Sequence, residues 1–271
     1  MITKGRPVAA KYERITVDLR RKIRTRDLPV GEQLPSQTAL AEQYKVSLPT
    51  IQQALGVLEA EGLIDSVQGI GTYVRAPRRP VVRKTDRYQW EKDRARLPLA
   101  ERQQTGAVEH DTGLAFDDLA FPAKYRTIDA DEDLAGVFGV ATGTKLLHRM
   151  YRTQVRAEET ALSLIDSYLV YEVAAANPDL LSADNEPWPG GTQHQLYTIG
   201  IEIDRIIDEV TARPPQDDEA ELLGIRPGVA VLVLRKVSID TGGRVVEVSD
   251  VVMAADRTVM AYCTKLERWK R

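Results

Sequence analysis

With 271 residues, 43% of them apolar and 28% charged, the chain has ordinary soluble composition and length for two domains; its single cysteine, Cys263, excludes an internal disulfide and, without CxxC or suitably spaced histidines, a zinc site. The opening residues MITKGRPVAAKYERI lack an apolar signal core, and no run approaches the roughly 20 apolar residues of a membrane span, so a cytoplasmic, nucleoid-associated protein with no membrane partner is expected. The net charge of -3 hides an asymmetry, 15 basic against 8 acidic residues through Lys84 and 22 against 32 beyond it, which suits a nucleic-acid-binding head on a body with another task.

Between residues 11 and 26 the apolar positions Tyr12, Ile15, Leu19 and Ile23 recur at three- and four-residue spacing, predicting a helix with one buried stripe and a mostly cationic outer face. Leu28-Pro29-Val30-Gly31 predicts a turn. Ser36 is placed to cap a second helix running to about Tyr44, with Leu40, Ala41 and Tyr44 inward. Ser47 is placed to cap a third, which tolerates Pro49 in its first turn and has Ile51, Ala54, Leu55 and Leu58 as its core face. Two short helices joined by so tight a turn form the pattern of a helix-turn-helix, whose last helix enters the DNA major groove. Residues 62–67 and 72–75, on either side of the turn Gln68-Gly69-Ile70-Gly71, predict a hairpin wing whose glycines permit close approach to a sugar-phosphate backbone.

In the words "LPSQTALAEQYKVS", "TIQQALGVLEAEGLI" and "GIGTYV", residues 11–75 resemble the winged head of the GntR family of bacterial transcription regulators. The resemblance implies a double-stranded DNA operator as partner. Where that family commonly has arginines, this chain has Thr38, Leu48 and Gln52. The amide of Gln52 or Gln53 suits the N6/N7 edge of adenine, whereas Leu48 offers only apolar contact, for example to a thymine methyl. Candidate DNA-binding residues are therefore Ser36, Thr38, Ser47, Leu48, Thr50, Gln52 and Gln53 on the helices and Gln68 and Gly69 at the wing tip. Lys11, Lys45 and Arg75, together with Lys4 and Arg6 of the amino-terminal arm, are the expected phosphate anchors.

Residues 76–84, APRRPVVRK, set two prolines among cations without an acid and predict an extended, self-repelling linker. The charge-rich stretch to residue 104 continues it, with Tyr88-Gln89-Trp90 expected to begin packing into the second domain. The expected organisation is a DNA-binding domain over 1–75, a linker over 76–104 and a body over 105–271. In the body, residues 145–153 and 160–168 predict one antiparallel hairpin, and 229–237 and 245–253 another. Helical segments are expected at 131–137, 193–199 and 217–223, giving an α+β architecture.

The words "GTKLLHRMYR", "SLIDSYL", "GGTQHQLY", "ELLGIRPGVAVLVLRK" and "GGRVVEVSDVV" resemble the effector-binding UTRA domain of the HutC branch of that family. This implies a chorismate-lyase-like antiparallel sheet with covering helices, a pocket between them for a small-molecule effector of unidentified structure, and a homodimer built through this domain. Arg149 matches an arginine that reaches an anionic ligand, and Tyr151 stands in place of a second one. Glu247 matches an acidic contact to ligand hydroxyls. Ser167, Gly190 and Gly191 also occupy matched positions, and Met253 replaces a frequent tyrosine. These departures weaken a phosphosugar reading and leave room for a flatter, more apolar ligand.

The resulting expectation is a one-component transcription regulator, a repressor by family habit, that binds an inverted-repeat operator as a homodimer under effector control. Two alternatives stay open: a regulator whose body only dimerises, for example in control of plasmid transfer, and a lyase-like enzyme using Arg149 and Glu247. The chain lacks a nucleophile–histidine–acid set, and His110, His148 and His194 are scattered, so no catalytic residue, metal or cofactor is expected.

Overall fold

The computed structural model describes residues 11–67, 69–76, 78, 80–226 and 228–266. Compactness divides the chain into two units, residues 1–79 with 226–229 and residues 80–225 with 230–271.

In the first unit, α1 (Lys11–Arg24) buries Ile15 and Leu19, and Tyr12 and Ile23 pack partly against the same core. Thr16, absent from the expected stripe, is buried as well, because its hydroxyl donates to the Tyr12 carbonyl at 2.9 Å and so needs no water. In α2 (Gln37–Tyr44) the Ser36 hydroxyl accepts the Ala39 N–H at 3.1 Å, satisfying one of the free donors of the first turn. The helix stops at Lys45, whose left-handed φ of 53° turns the chain toward α3 (Leu48–Ala60). Ile51, Ala54, Leu55 and Leu58 are all buried, as their spacing predicts. Ser47 differs from expectation: it stands at the cap position of α3, but its hydroxyl pairs with that of Thr50 at 2.9 Å instead of a backbone N–H.

The wing is β1 (Ile64–Val67) antiparallel to β2 (Gly71–Val74), with Ile64 opposite Val74 and Val67 opposite Gly71. Gly71 has φ +149°, a conformation that costs a side-chain-bearing residue dearly, and the Gln33 amide donates to the Ile70 carbonyl at 3.0 Å beside it. The wing-tip candidate Gln68 lies outside the described residues.

The second unit begins earlier than composition suggests. β3 (Val81–Lys84) is followed by three helices, α4 (Arg87–Arg94), α5 (Leu99–Arg102) and α6 (Ala107–Thr112). The expected linker of residues 76–104 is therefore corrected: from residue 80 this stretch belongs to the body. Val81 packs with Leu119, Val155 and Leu162, and buried Arg87 pairs with Asp111 and Glu91, so residues that look like solvated charge are half of internal ion pairs.

β4 (Leu119–Ala120) and β5 (Ala123–Asp129) share one edge of a long strand, β6 (Lys145–Val155), with α7 (Glu132–Phe138) lying between β5 and β6 in the chain. β7 (Ala161–Val170) completes the first expected hairpin and leads to α8 (Tyr171–Ala174) and α9 (Gly191–Thr198). β8 (Ile203–Arg213) and α10 (Asp217–Leu222) precede the second hairpin, β9 (Val231–Asp240) with β10 (Val245–Ala254). The seven strands run in the order β4-β6-β7-β10-β9-β8, with β5 also on β6. Last, β11 (Thr258–Ala261) lies parallel to β3.

Alternation sends neighbouring residues to opposite faces of the sheet. Leu146 and Val248 pack with Leu134, Ala135 and Phe138 around α7, whereas Leu147 and Val246 pack with Ala174 of α8 and Leu196 of α9. A register shift between Val245 and Glu247 lets Val246 and Glu247 both serve the second face. That face carries the cavity described next.

Candidate functional site

In the first unit a shallow concavity is lined by Lys11, Thr38, Lys45, Ser47 and Thr50, together with Ala41, Glu42 and Val46. Around it Ser36, Leu48, Gln52 and Gln53 are exposed, Leu48 at 40% despite its apolar side chain. The core face of α3 is occupied by Ile51, Ala54, Leu55 and Leu58, so helical periodicity turns Gln52 and Gln53 outward, whereas Leu48, on the side of Ile51 and Leu55, is exposed at the first position of the helix. Gln52 donates to the Gln37 amide oxygen at 3.2 Å, tying the outer sides of α2 and α3. Gly69, with φ +76° and open space around it, forms the turn between the wing strands. Arg75 differs from a free phosphate anchor, since its Nε lies 3.9 Å from Asp65, which offsets part of its charge. Behind this surface Tyr44 donates to Asp18 at 2.6 Å and Lys22 pairs with Asp18 at 3.0 Å. The tyrosine hydrogen bond, ahead of the lysine, holds the Asp18 carboxyl at about 2.

In the second unit a cavity of about 500 Å³ lies on the second face of the sheet. Residues two apart on successive strands form its floor: Tyr151 and Thr153 of β6, Ile165 and Ser167 of β7, and Glu247, Ser249 and Val251 of β10. Register makes them one surface, with Ser167 opposite Ser249 and Ile165 opposite both Tyr151 and Val251. The turn of residues 186–192 and the segment from Arg83 to Glu109 supply other walls.

Glu247 is the electrostatic centre of the floor. Its side chain is fully buried, and it accepts from Arg149 at 3.0 Å, Ser167 at 2.8 Å and Ser238 at 3.2 Å and pairs with Lys236 at 2.9 Å. Burial alone would raise its carboxyl, yet the charges of Lys236 and Arg149 and these hydrogen bonds hold it at about 2. Arg149 also donates to Gln195 at 2.5 Å. Glu186 closes the network, accepting from Tyr125, from Tyr151 at 3.0 Å and from Gln195 at 3.0 Å. Burial pushes the Tyr125 and Tyr151 phenols up, so both stay protonated donors.

Of the effector candidates, Tyr151, Ser167, Gly190, Gly191 and Glu247 line the cavity. Two do not. Arg149 lies behind the floor, with no exposed surface and its head committed to Glu247, Ser167 and Gln195. Met253 lies two residues beyond Val251 and is packed into core with Leu234 and Met260. Gly190 takes φ +94° at the start of α9, where a Cβ would stand 2.8 Å from the His194 Cβ. The Trp188 indole donates to His194 at 2.8 Å, and burial, then the Arg102 charge, lowers that histidine to about 4, keeping it a neutral acceptor. Sequence reasoning missed Arg83, Trp90, Glu186 and Trp188, all on the cavity wall. The cationic look of residues 76–84 concealed Arg83, and Trp188 beside the glycine pair was the available signal.

Among the described residues no cluster of His, Cys, Asp or Glu is placed to hold a metal, and no helix is long and apolar enough to cross a membrane. Comparison with known proteins matches residues 11–74 to the bacterial regulatory proteins of the gntR family and residues 123–258 to the UTRA domain. An uncharacterised HTH-type transcriptional regulator of Streptomyces coelicolor is 29% identical over 96% of this chain and 94% of its own. The HTH-type transcriptional repressor NagR of Bacillus subtilis is 26% identical over 98% of this chain and 99% of its own. Among solved structures, a GntR-family transcriptional regulator superposes with a TM-score of 0.67 at 27% identity, covering 96% of this chain and 99% of its own.

Proposed function

Because the chain belongs to the GntR family of bacterial regulatory proteins and carries a UTRA domain, we propose that this DNA-binding transcription regulator acts as a homodimeric repressor on an inverted-repeat operator, released by a small molecule in the body's cavity. The observation that carries the reading is one chain holding both an exposed helix-turn-helix face and a walled cavity of about 500 Å³. Repression is supported by the relative NagR, which is named a repressor. Two heads of a dimer meet half-sites about 34–36 Å or a multiple apart, so an effector that favours another spacing weakens the complex.

The chain's family and relatives are transcription regulators and not enzymes, which removes the lyase alternative. The chemistry agrees: Glu247, held ionised by two cations, is a poor proton shuttle near neutral pH. The cavity also favours an effector-binding body over one that only dimerises.

In this reading Thr38, Ser47, Thr50, Gln52 and Gln53 face the operator, Lys11 and Lys45 anchor phosphates, and Tyr151, Ser167 and Glu247 face the effector. Selection of bound sequences from a random duplex pool by the full-length protein is expected to recover an inverted repeat. Gln52→Ala is expected to relax the preference at one base pair per half-site, by about 1–3 kcal/mol. Lys45→Ala is expected to weaken binding to all sequences and flatten its salt dependence. Recovery of a non-repeated site, or an unchanged preference without Gln52, contradicts this assignment.

A further inference from the structure

One wall of the cavity lies outside both family matches, which end at residue 74 and resume at 123. That wall runs from β3 to α6 and contributes Arg83, Trp90 and Glu109. Arg83 is unusual among the cations there. Arg87 is paired with Glu91 and Asp111, and Lys236 with Glu247. Arg94 donates to the carbonyls of Glu101 and Thr105, and Arg102 to those of Leu97 and Pro189. Among the described residues no carboxylate forms an ion pair with Arg83; its Nε has no hydrogen-bond partner, and Tyr88 is its hydrogen-bonding neighbour. Burial, and next the charge of Arg87, lowers the pKa of Arg83 by more than Tyr88 and the charge of Asp111 raise it. Arg83 is half-buried with its Nε out of reach of solvent, and a cation so placed without an ion pair is stabilised by an anion in its fork.

Aromatic rings stand on the same walls. Phe116 and Phe121 stack at 5.9 Å, and Trp90 packs with the His110 ring at 4.6 Å and Arg94 at 4.8 Å. Such a lining suits a flat apolar frame, whereas a polyhydroxylated sugar needs a polar partner for each hydroxyl. The remaining charge selects the anion. Five cations, Arg83, Arg87, Arg94, Arg102 and Lys236, and four carboxylates, Glu91, Glu109, Glu186 and Glu247, line this cavity, an excess of one positive charge, so a phosphate dianion would bring one negative charge too many. A carboxylate brings one charge and matches the guanidinium fork with two parallel hydrogen bonds.

We propose that the cavity binds a ring-bearing monocarboxylate, its carboxylate held by Arg83 and its ring lying against Trp90, Phe116 and Phe121. The identification of this ligand with the effector rests on the function proposed above.

Two of the chain's three tryptophans, Trp90 and Trp188, line the cavity, so tryptophan emission reports occupancy. The full-length protein is titrated with benzoate, 1-naphthoate and indole-3-acetate, with the corresponding amides, and with inorganic phosphate and glucosamine 6-phosphate, following emission and melting temperature. At least one ring acid is expected to bind and raise the melting temperature, with its amide about tenfold weaker or worse. Arg83→Gln is expected to lose about the same factor for the acid while melting, ligand-free, no lower than the parent, because it removes a charge that has no ion-pair partner. Arg83→Lys keeps the charge and recovers part of the affinity. Amides that bind as well as acids, sugar phosphate bound in their place, no binding by any ring acid, or a ligand-free Arg83→Gln that melts lower than the parent overturns the assignment. Operator affinity separates the two readings: an acid that binds through Arg83 without weakening the operator complex leaves the carboxylate site standing and removes the effector role. A sugar phosphate that releases operator does the reverse.

Discussion

Glu247 shows how much chemistry one residue can carry without being reactive. Burying a carboxylate is costly, and the cost is met here by two cations and two hydroxyls around it. Glu247→Gln leaves Arg149 and Lys236 beside a neutral amide, and a loss of about 3–5 kcal/mol in urea denaturation is expected. The pH dependence has a definite sign. The folded carboxyl titrates at about 2, below its ordinary value of 4.5, so its stabilisation is complete above 4.5 and is lost as pH falls from there toward 2. The parent should therefore lose stability more steeply than Glu247→Gln across that window; parallel acid curves would show that the carboxylate is not held this way. Residue identity made Glu247 a candidate, through its place in the motif GGRVVEVSDVV. Its engagement with Arg149, rather than Arg149's own contact with a ligand, follows from the adjacency of β6, β7 and β10.

At the scale of elements, helix starts separate what a motif promises from what a hydroxyl does. Ser36 and Ser47 stand at equivalent positions before α2 and α3, yet only Ser36 accepts a backbone N–H. Ser36→Ala should cost about 1 kcal/mol of thermal or urea stability, and Ser47→Ala less than about 0.5 kcal/mol. Equal costs would mean that Ser47 caps α3 in solution. The helices of the first unit and both hairpins of the second were legible because each has an apolar face with a clear period and a turn signal at its end. β5 and β8 were not. β8 carries exposed or half-buried side chains along almost its whole length at the end of the sheet, so it shows no inward stripe. The stretch from β3 to α6 was concealed for a different reason: its burial is accomplished by Arg87, Asp111 and Glu91, which read as solvent-facing until their partners are known.

At the scale of the molecule, the homodimer reading makes the second unit essential to operator affinity. The first unit has its own buried core around Ile15, Leu40, Ile51 and Ile64. A fragment ending at Arg75 should therefore fold and recognise a half-site. Its operator affinity in fluorescence anisotropy should fall by about 100-fold or more, because the second head is no longer held near its half-site. Undiminished affinity would contradict the dimer. By itself the sequence determined the winged head, the α+β body and the family, since these depend on local periodicity, turn residues and motif words that no distant contact can change. Only the tertiary structure decided which residues reach the cavity: Tyr151 and Glu247 do, Arg149 and Met253 do not, and Arg83 enters from a segment that composition had assigned to a linker. Strand alternation names the face on which a side chain lies, but whether it meets a void, a partner or core depends on elements far away in the chain.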